Sequence, residues 1–188
     1  MDQFEENVFK AIYGRRSARA YEDRPVEEEK LLKLLKAGMA APSACNLQPW
    51  EFIVITDQET LEELQKTAPY KPPVAIIICA NTEKIPWCGE DWMVDCSAAV
   101  ENMMIAAVPL GLGSCWIGAL DIDVTRKLLN IPENIQVLNM VYFGYAARTK
   151  QPATKYNEEA VYWGKYDPTR SRSLRTMDML LTDGYQDK

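Results

Sequence analysis

Arg15, Arg16, Ser17 and Arg19 fall within five consecutive positions, and they are where this sequence first offers chemistry. A guanidinium presents a planar fork of donors that matches a carboxylate or phosphate, and a serine hydroxyl adds a short contact. So dense a cationic loop stands out in a chain with a formal net charge of -6; the plain alternative is a solvated basic turn. A second cluster, Ser43, Asn46 and Gln48, lies between Pro42 and Pro49. Its neutral donors and acceptors suit a polar heterocycle or a sugar-like chain, or else a loop that satisfies its own backbone. The chain has no histidine, which excludes Ser-His-Asp and Cys-His machinery and the commonest general base near neutral pH. If the protein is an enzyme, a cofactor is expected to carry the hard chemistry.

The cysteines, Cys45, Cys79, Cys88, Cys96 and Cys115, are odd in number and form no Cys-x-x-Cys pair. Neither a zinc knuckle nor a complete disulfide framework fits, so the thiols are expected to be reduced and structural, with no metal site. The acidic balance argues against nucleic acid as a partner. No apolar run approaches the roughly 20 residues that span a bilayer, and the acidic start lacks the features of a signal peptide. The expectation is a soluble cytoplasmic protein with no membrane partner.

Several elements must position these residues. Phe4, Val8 and Ile12 recur at helical spacing, predicting a helix over residues 3–13 that Gly14 ends, directly before the basic loop. Pro25 opens a second helix with Leu31, Leu32, Leu35 and Met39 as its buried stripe and Glu27 to Glu29 in its first turn. Strands are expected over 51–56, 74–80 and 137–146, the second central and buried. Asp57 caps a helix to about Lys66, and Asp123 caps a short one to Asn130. Residues 91–110 read as a long helix that is apolar nearly all round, buried in a core or against a partner subunit. Gly111-Leu112-Gly113-Ser114-Cys115-Trp116 mimics a dinucleotide fingerprint, but it leaves a helix and enters a strand, so Rossmann binding is rejected. Residues 83–92, with Pro86, Trp87 and Trp92, are turn-rich and read as a lid over the site or as tryptophans packed on the core.

The loop Arg15-Arg16-Ser17-Ala18-Arg19, the segment Ala41-Pro42-Ser43-x-x-Asn46-x-Gln48-Pro49-Trp50, the run Gly111 to Gly118 and the strand end Gly144-Tyr145-Ala146 occur in that order. The combination resembles the nitroreductase family of FMN-dependent oxidoreductases. The resemblance implies an α+β, three-layer α/β/α fold with a central mixed or antiparallel sheet, an intertwined homodimer, and two flavins at the subunit interface. Arg15 and Ser17 would then hold the FMN phosphate and ribityl chain, Arg16 would act mainly through its backbone, and Arg19 would face the flavin N1/O2 edge. Pro42, Ser43, Ala44, Asn46 and Gln48 would arrive from the other subunit. Trp116, Ile117 and Gly118 would lie along the ring, and Lys155, with Arg148 or Lys150 as substitutes, would complete the phosphate site.

The implied activity is NAD(P)H-dependent and ping-pong, passing electrons from NADH or NADPH to flat, electron-poor small molecules such as nitroaromatics or quinones. A flavin-storing protein and a dehalogenating member of the same family are the alternatives. Residues 1–146 are expected to form the flavin-binding domain. Residues 147–188, polar yet carrying Tyr156, Tyr162, Trp163 and Tyr166, are expected to form an arm that packs on the partner subunit.

Overall fold

The run Val74–Asn81 makes the centre of the protein because its side chains alternate between two apolar interiors. Ile76, Ile78 and Ala80 point into one core cluster, and Ala75, Ile77 and Cys79 into the other. A strand buried on both faces needs helices on both sides. The structure, a computed structural model, describes residues 2–66, 70–83, 89–150, 157–172 and 185–187.

In chain order the elements are α1 (Gln3–Gly14), α2 (Glu28–Met39), β1 (Trp50–Ile55), α3 (Gln58–Gln65), β2 (Val74–Asn81), α4 (Asp91–Ala107), β3 (Gly113–Ile117), α5 (Ile122–Leu128), β4 (Ile135–Gly144), β5 (Arg148–Lys150) and β6 (Tyr185–Asp187). β1, β2, β4 and β3 form a sheet in that order, with every neighbouring pair antiparallel. Helices α2 and α4 cover one face and α3 and α5 the other, giving the expected three layers and an α+β fold. Ile76, Ile77 and Ile78 are wholly buried, each worth about 1.5–3 kcal/mol of transfer free energy.

Several local expectations are corrected. Helix α2 starts at Glu28, after a Glu27 cap, and buries Leu31, Leu34 and Gly38. Leu32 and Met39 are exposed instead. Gly38 lies on the buried stripe because a Cβ there would come within 3.0 Å of Met103 on α4. Asp121, not Asp123, caps α5 by accepting from Val124 N–H at 3.0 Å. Asp57 caps α3 as expected, accepting from Thr60 N–H at 2.8 Å. Helix α4 ends at Ala107, and the next residues turn toward β3.

Candidate functional site

The basic loop is laid along the outer edge of β3. Ser17 forms a parallel bridge with Ser114, and Ala18 N–H donates to the Ser114 carbonyl at 2.8 Å. The segment continues beside the end of β4: Glu22 N–H donates to Tyr145, Ala147 N–H donates to Ala20, and Tyr21 bridges Ala146. Gly113 permits this approach, since a Cβ there would stand 2.7 Å from the Ala18 Cβ and 3.0 Å from that of Ala146. Upstream, Gly14 seats the end of α1 against α4, where an added Cβ would meet Val108 at 3.2 Å. The Arg15–Arg19 stretch is thus seated at the start of the strand that carries Trp116 and Ile117, joining two motifs that are separate in the sequence.

The three guanidiniums have different surroundings. Arg15 Nε faces Glu101 Oε1 on α4 at 3.4 Å. Arg16 turns inward: its Nη1 donates to the Arg15 carbonyl, and its Nε is buried with no hydrogen-bond partner. Burial and the Arg15 charge lower the Arg16 pKa. Arg19 is exposed, with its guanidinium carbon 5.9 Å from the centre of the Tyr70 ring. Arg19 and Arg15 both act on the Cys115 thiol of β3, opposing the burial that raises its pKa. A buried N–H without an acceptor beside two further guanidiniums and a serine hydroxyl is a donor set that fits a phosphate-bearing group.

The second cluster is held elsewhere. A 3-10 turn spans Ala44–Asn46, and Cys45, Asn46 and Gln48 all have positive φ, of 50°, 57° and 51°. Backbone of this kind is costly outside glycine and persists only where the surroundings impose it. Gln48 N–H donates to Ser43 Oγ at 2.9 Å and Gln48 Nε2 to Asn46 Oδ1 at 3.0 Å. Ala44 N–H donates to the buried carboxylate of Asp95 on α4 at 3.0 Å. Asp95 and Glu101 lie six residues apart on that helix, on faces separated by about 120°. The two segments are thus tied to different sides of α4 within one chain. Pro42 is exposed at the start of the turn.

On β3, Trp116 is 36% exposed while the Ile117 side chain is buried in the core, leaving only the Ile117 main chain to meet a ligand. Nothing lies within 4 Å of where a Gly118 Cβ would be, so the space beside it is open. Lys155, Pro86, Trp87 and Cys88 lie outside the described residues. Arg148 and Lys150 bound strand β5, in register with Asp187 and Tyr185 of β6. Among the described residues Cys45, Cys79, Cys96 and Cys115 are free thiols, and no helix is long and apolar enough to cross a membrane.

Three supports are absent from the expectations drawn from sequence. Asp95 and Glu101 are two; a carboxylate recurring within an otherwise apolar helix was the available signal. The third is a network behind the basic loop: Lys30 Nζ donates to Tyr145 Oη at 2.7 Å and to the Leu110 carbonyl at 2.9 Å, and Tyr145 Oη donates to Glu27 at 2.6 Å. Arg24 lies over the Tyr145 ring and also bonds Glu27 at 3.0 Å. These contacts hold the Glu27 carboxyl down at about 2, chiefly through Tyr145.

The nitroreductase family model matches residues 12–75 and 67–145. An Archaeoglobus fulgidus protein provisionally named an NADH dehydrogenase/NAD(P)H nitroreductase is 38% identical, the match covering 86% of this chain and 99% of that one. An NADH dehydrogenase of Thermus thermophilus is 39% identical over 81% of this chain and 94% of its own. Among solved structures, an FMN-dependent nitroreductase of Clostridium difficile superposes with a TM-score of 0.73 at 32% identity, covering 84% and 99% of the two chains.

Proposed function

Because the chain belongs to the nitroreductase family, we propose that it is an NAD(P)H-dependent FMN oxidoreductase working by ping-pong on flat, electron-poor acceptors such as nitroaromatics and quinones. The observation that carries this reading is the guanidinium loop docked at Ser114 on β3, the strand that leads on to Trp116, Ile117 and Gly118. Bound FMN would supply the hydride chemistry, taking a hydride from a nicotinamide and passing electrons to the acceptor. The protein's residues would bind and bias it. Arg15 and Ser17 hold the phosphate and ribityl chain, joined by Lys155 or by Arg148 or Lys150. Arg16 contributes mainly through its backbone, with its buried Nε as a further donor. Arg19 sets a positive charge where negative charge develops on reduction, which stabilises that form. Trp116, Ile117 and Gly118 line the ring, with Ile117 limited to its main chain.

The remaining ligands, Pro42, Ser43, Ala44, Asn46 and Gln48, would come from a second copy of the chain. Two features support this homodimer. The 42–48 segment is tied to a different side of α4 from Arg15. Helix α1 buries none of its residues within the chain, leaving Phe4, Val8, Phe9, Ile12 and Tyr13 exposed. The arm after residue 146 would pack on that partner. Purified protein should be yellow and release FMN on heating; FAD in the supernatant would overturn the cofactor reading. Anaerobic stopped-flow with NADH and NADPH, then a panel of oxidants, tests turnover. A flavin that neither nucleotide reduces would point to storage instead.

A further inference from the structure

A site meant to hold a phosphate has little evident use for a carboxylate, yet Glu101 reaches Arg15 from α4. Its Oε1 stands 3.4 Å from Arg15 Nε, with the two side chains 31% (Arg15) and 47% (Glu101) exposed. The placement is built in. Glu101 lies seven residues, about two turns, before Val108, the residue that caps the end of α4, and so on the same side of the helix, and Gly14 seats the end of α1 on Val108. Arg15 follows Gly14 directly and turns away from the helix in extended conformation. The contact is on the guanidinium's side nitrogen and long for a charge-assisted bond. A partly exposed pair of this kind orients its members weakly. The negative charge of Glu101 acts at longer range and opposes any second anion brought to Arg15.

We propose that Glu101 is a resident counter-anion of the phosphate site: it neutralises Arg15 in the empty protein and competes with the incoming phosphate, so that it sets how readily the cofactor is released. The inference rests on the reading of Arg15 as a phosphate ligand. It assigns Glu101 a role in cofactor exchange, and it places one determinant of retention on α4, outside the basic loop.

The test uses full-length apoprotein, with FMN and riboflavin as probes followed by flavin fluorescence. Glu101→Gln keeps an acceptor for Arg15 but removes the charge. It should tighten FMN about threefold to thirtyfold, by slowing dissociation, and leave riboflavin unchanged. Glu101→Asp, which draws the charge back by one methylene, should fall between. The gain should shrink as salt rises and be smaller in an Arg15→Ala background, where competition for Arg15 is gone and only direct repulsion of the phosphate remains. Weaker FMN binding in Glu101→Gln would mean that Glu101 orients Arg15, and equal tightening of riboflavin would mean that the effect is not on the phosphate; either overturns the proposal. Failure of the underlying reading looks different: Arg15→Ala alone would then leave the preference of FMN over riboflavin intact.

Discussion

At the scale of single residues, the charges around the basic loop divide into those that hold and those that bias. Arg19 is exposed and reaches Tyr70 only at the limit of a cation–π contact. Its proposed partner is charge that develops on reduction. Arg19→Ala should therefore slow flavin reduction about tenfold to a hundredfold, the worth of one charge-assisted contact at roughly 1.5–3 kcal/mol, while costing less in occupancy. Occupancy collapsing with the rate per bound flavin unchanged would move Arg19 to the phosphate site. Glu27 is held down at about 2 from an ordinary 4.5, first by the Tyr145 hydroxyl. A depressed carboxylate contributes stability that is fully present above its ordinary range and is lost as pH falls toward the folded value. Tyr145→Phe should lower the melting temperature at pH 7 and flatten its decline between about pH 5 and 2. Parallel Tm-against-pH curves would show that Tyr145 does not set the Glu27 carboxyl.

The basic loop was legible in the sequence because three guanidiniums in an acidic chain have few uses. Its supports were not, because their partners are distant in sequence: Lys30 and Tyr145 are 115 residues apart and Ala44 and Asp95 are 51 apart.

Among the elements, α4 ties the fold to the candidate site. Asp95 anchors the 42–48 turn, Glu101 meets Arg15, and Asn102 Nδ2 donates to the Ala37 carbonyl of α2 at 3.2 Å. The sequence marked α4 as apolar, and packing gave its few polar residues their roles. The stripe of α2 was misread for a related reason. Leu31, Leu32, Leu35 and Met39 make as good an apolar count as Leu31, Leu34 and Leu35, and a count of apolar residues cannot reward Gly38 for being small. Gly113 joins two elements by the same economy. Gly113→Ala would press on the Ala18 and Ala146 Cβ atoms and push the basic loop off β3. Overpacking of this kind costs about 1–3 kcal/mol, and it should weaken FMN binding as well as stability. Chemical denaturation beside FMN titration checks both, and a stability loss with binding intact would separate the loop's seat from its function.

For the whole molecule, the prediction is that no active monomer exists. Obligate dimer interfaces bury on the order of 2,000–5,000 Å², and stability should then depend on protein concentration. The sharper measurement mixes Arg15→Ala chains with Ser43→Trp chains. If ligands cross between subunits, each mixed dimer has one doubly damaged site and one intact site, so flavin binding recovers to about half of a mixed dimer's capacity. No recovery in a mixture shown to exchange subunits would place both segments in one chain. The family and the layered fold were legible through four motifs in order, whereas the division of ligands between copies rests on which side of α4 each segment is tied to.

The seat of the basic loop also has a consequence in time. Ser17 pairs with Ser114 and Tyr21 with Ala146, so residues made early in synthesis wait for strands made late. Contacts this remote bear a loop-closure cost before they return any stability, and they slow folding. The basic loop is thus synthesised before the strand end it closes on, and it is seated only once that strand end is present. A nascent chain ending before Ala146 still carries every arginine of the loop but lacks the strand end against which that loop closes. Tight cofactor capture should accordingly appear with the slowest refolding phase, making bound flavin a reporter of completed folding.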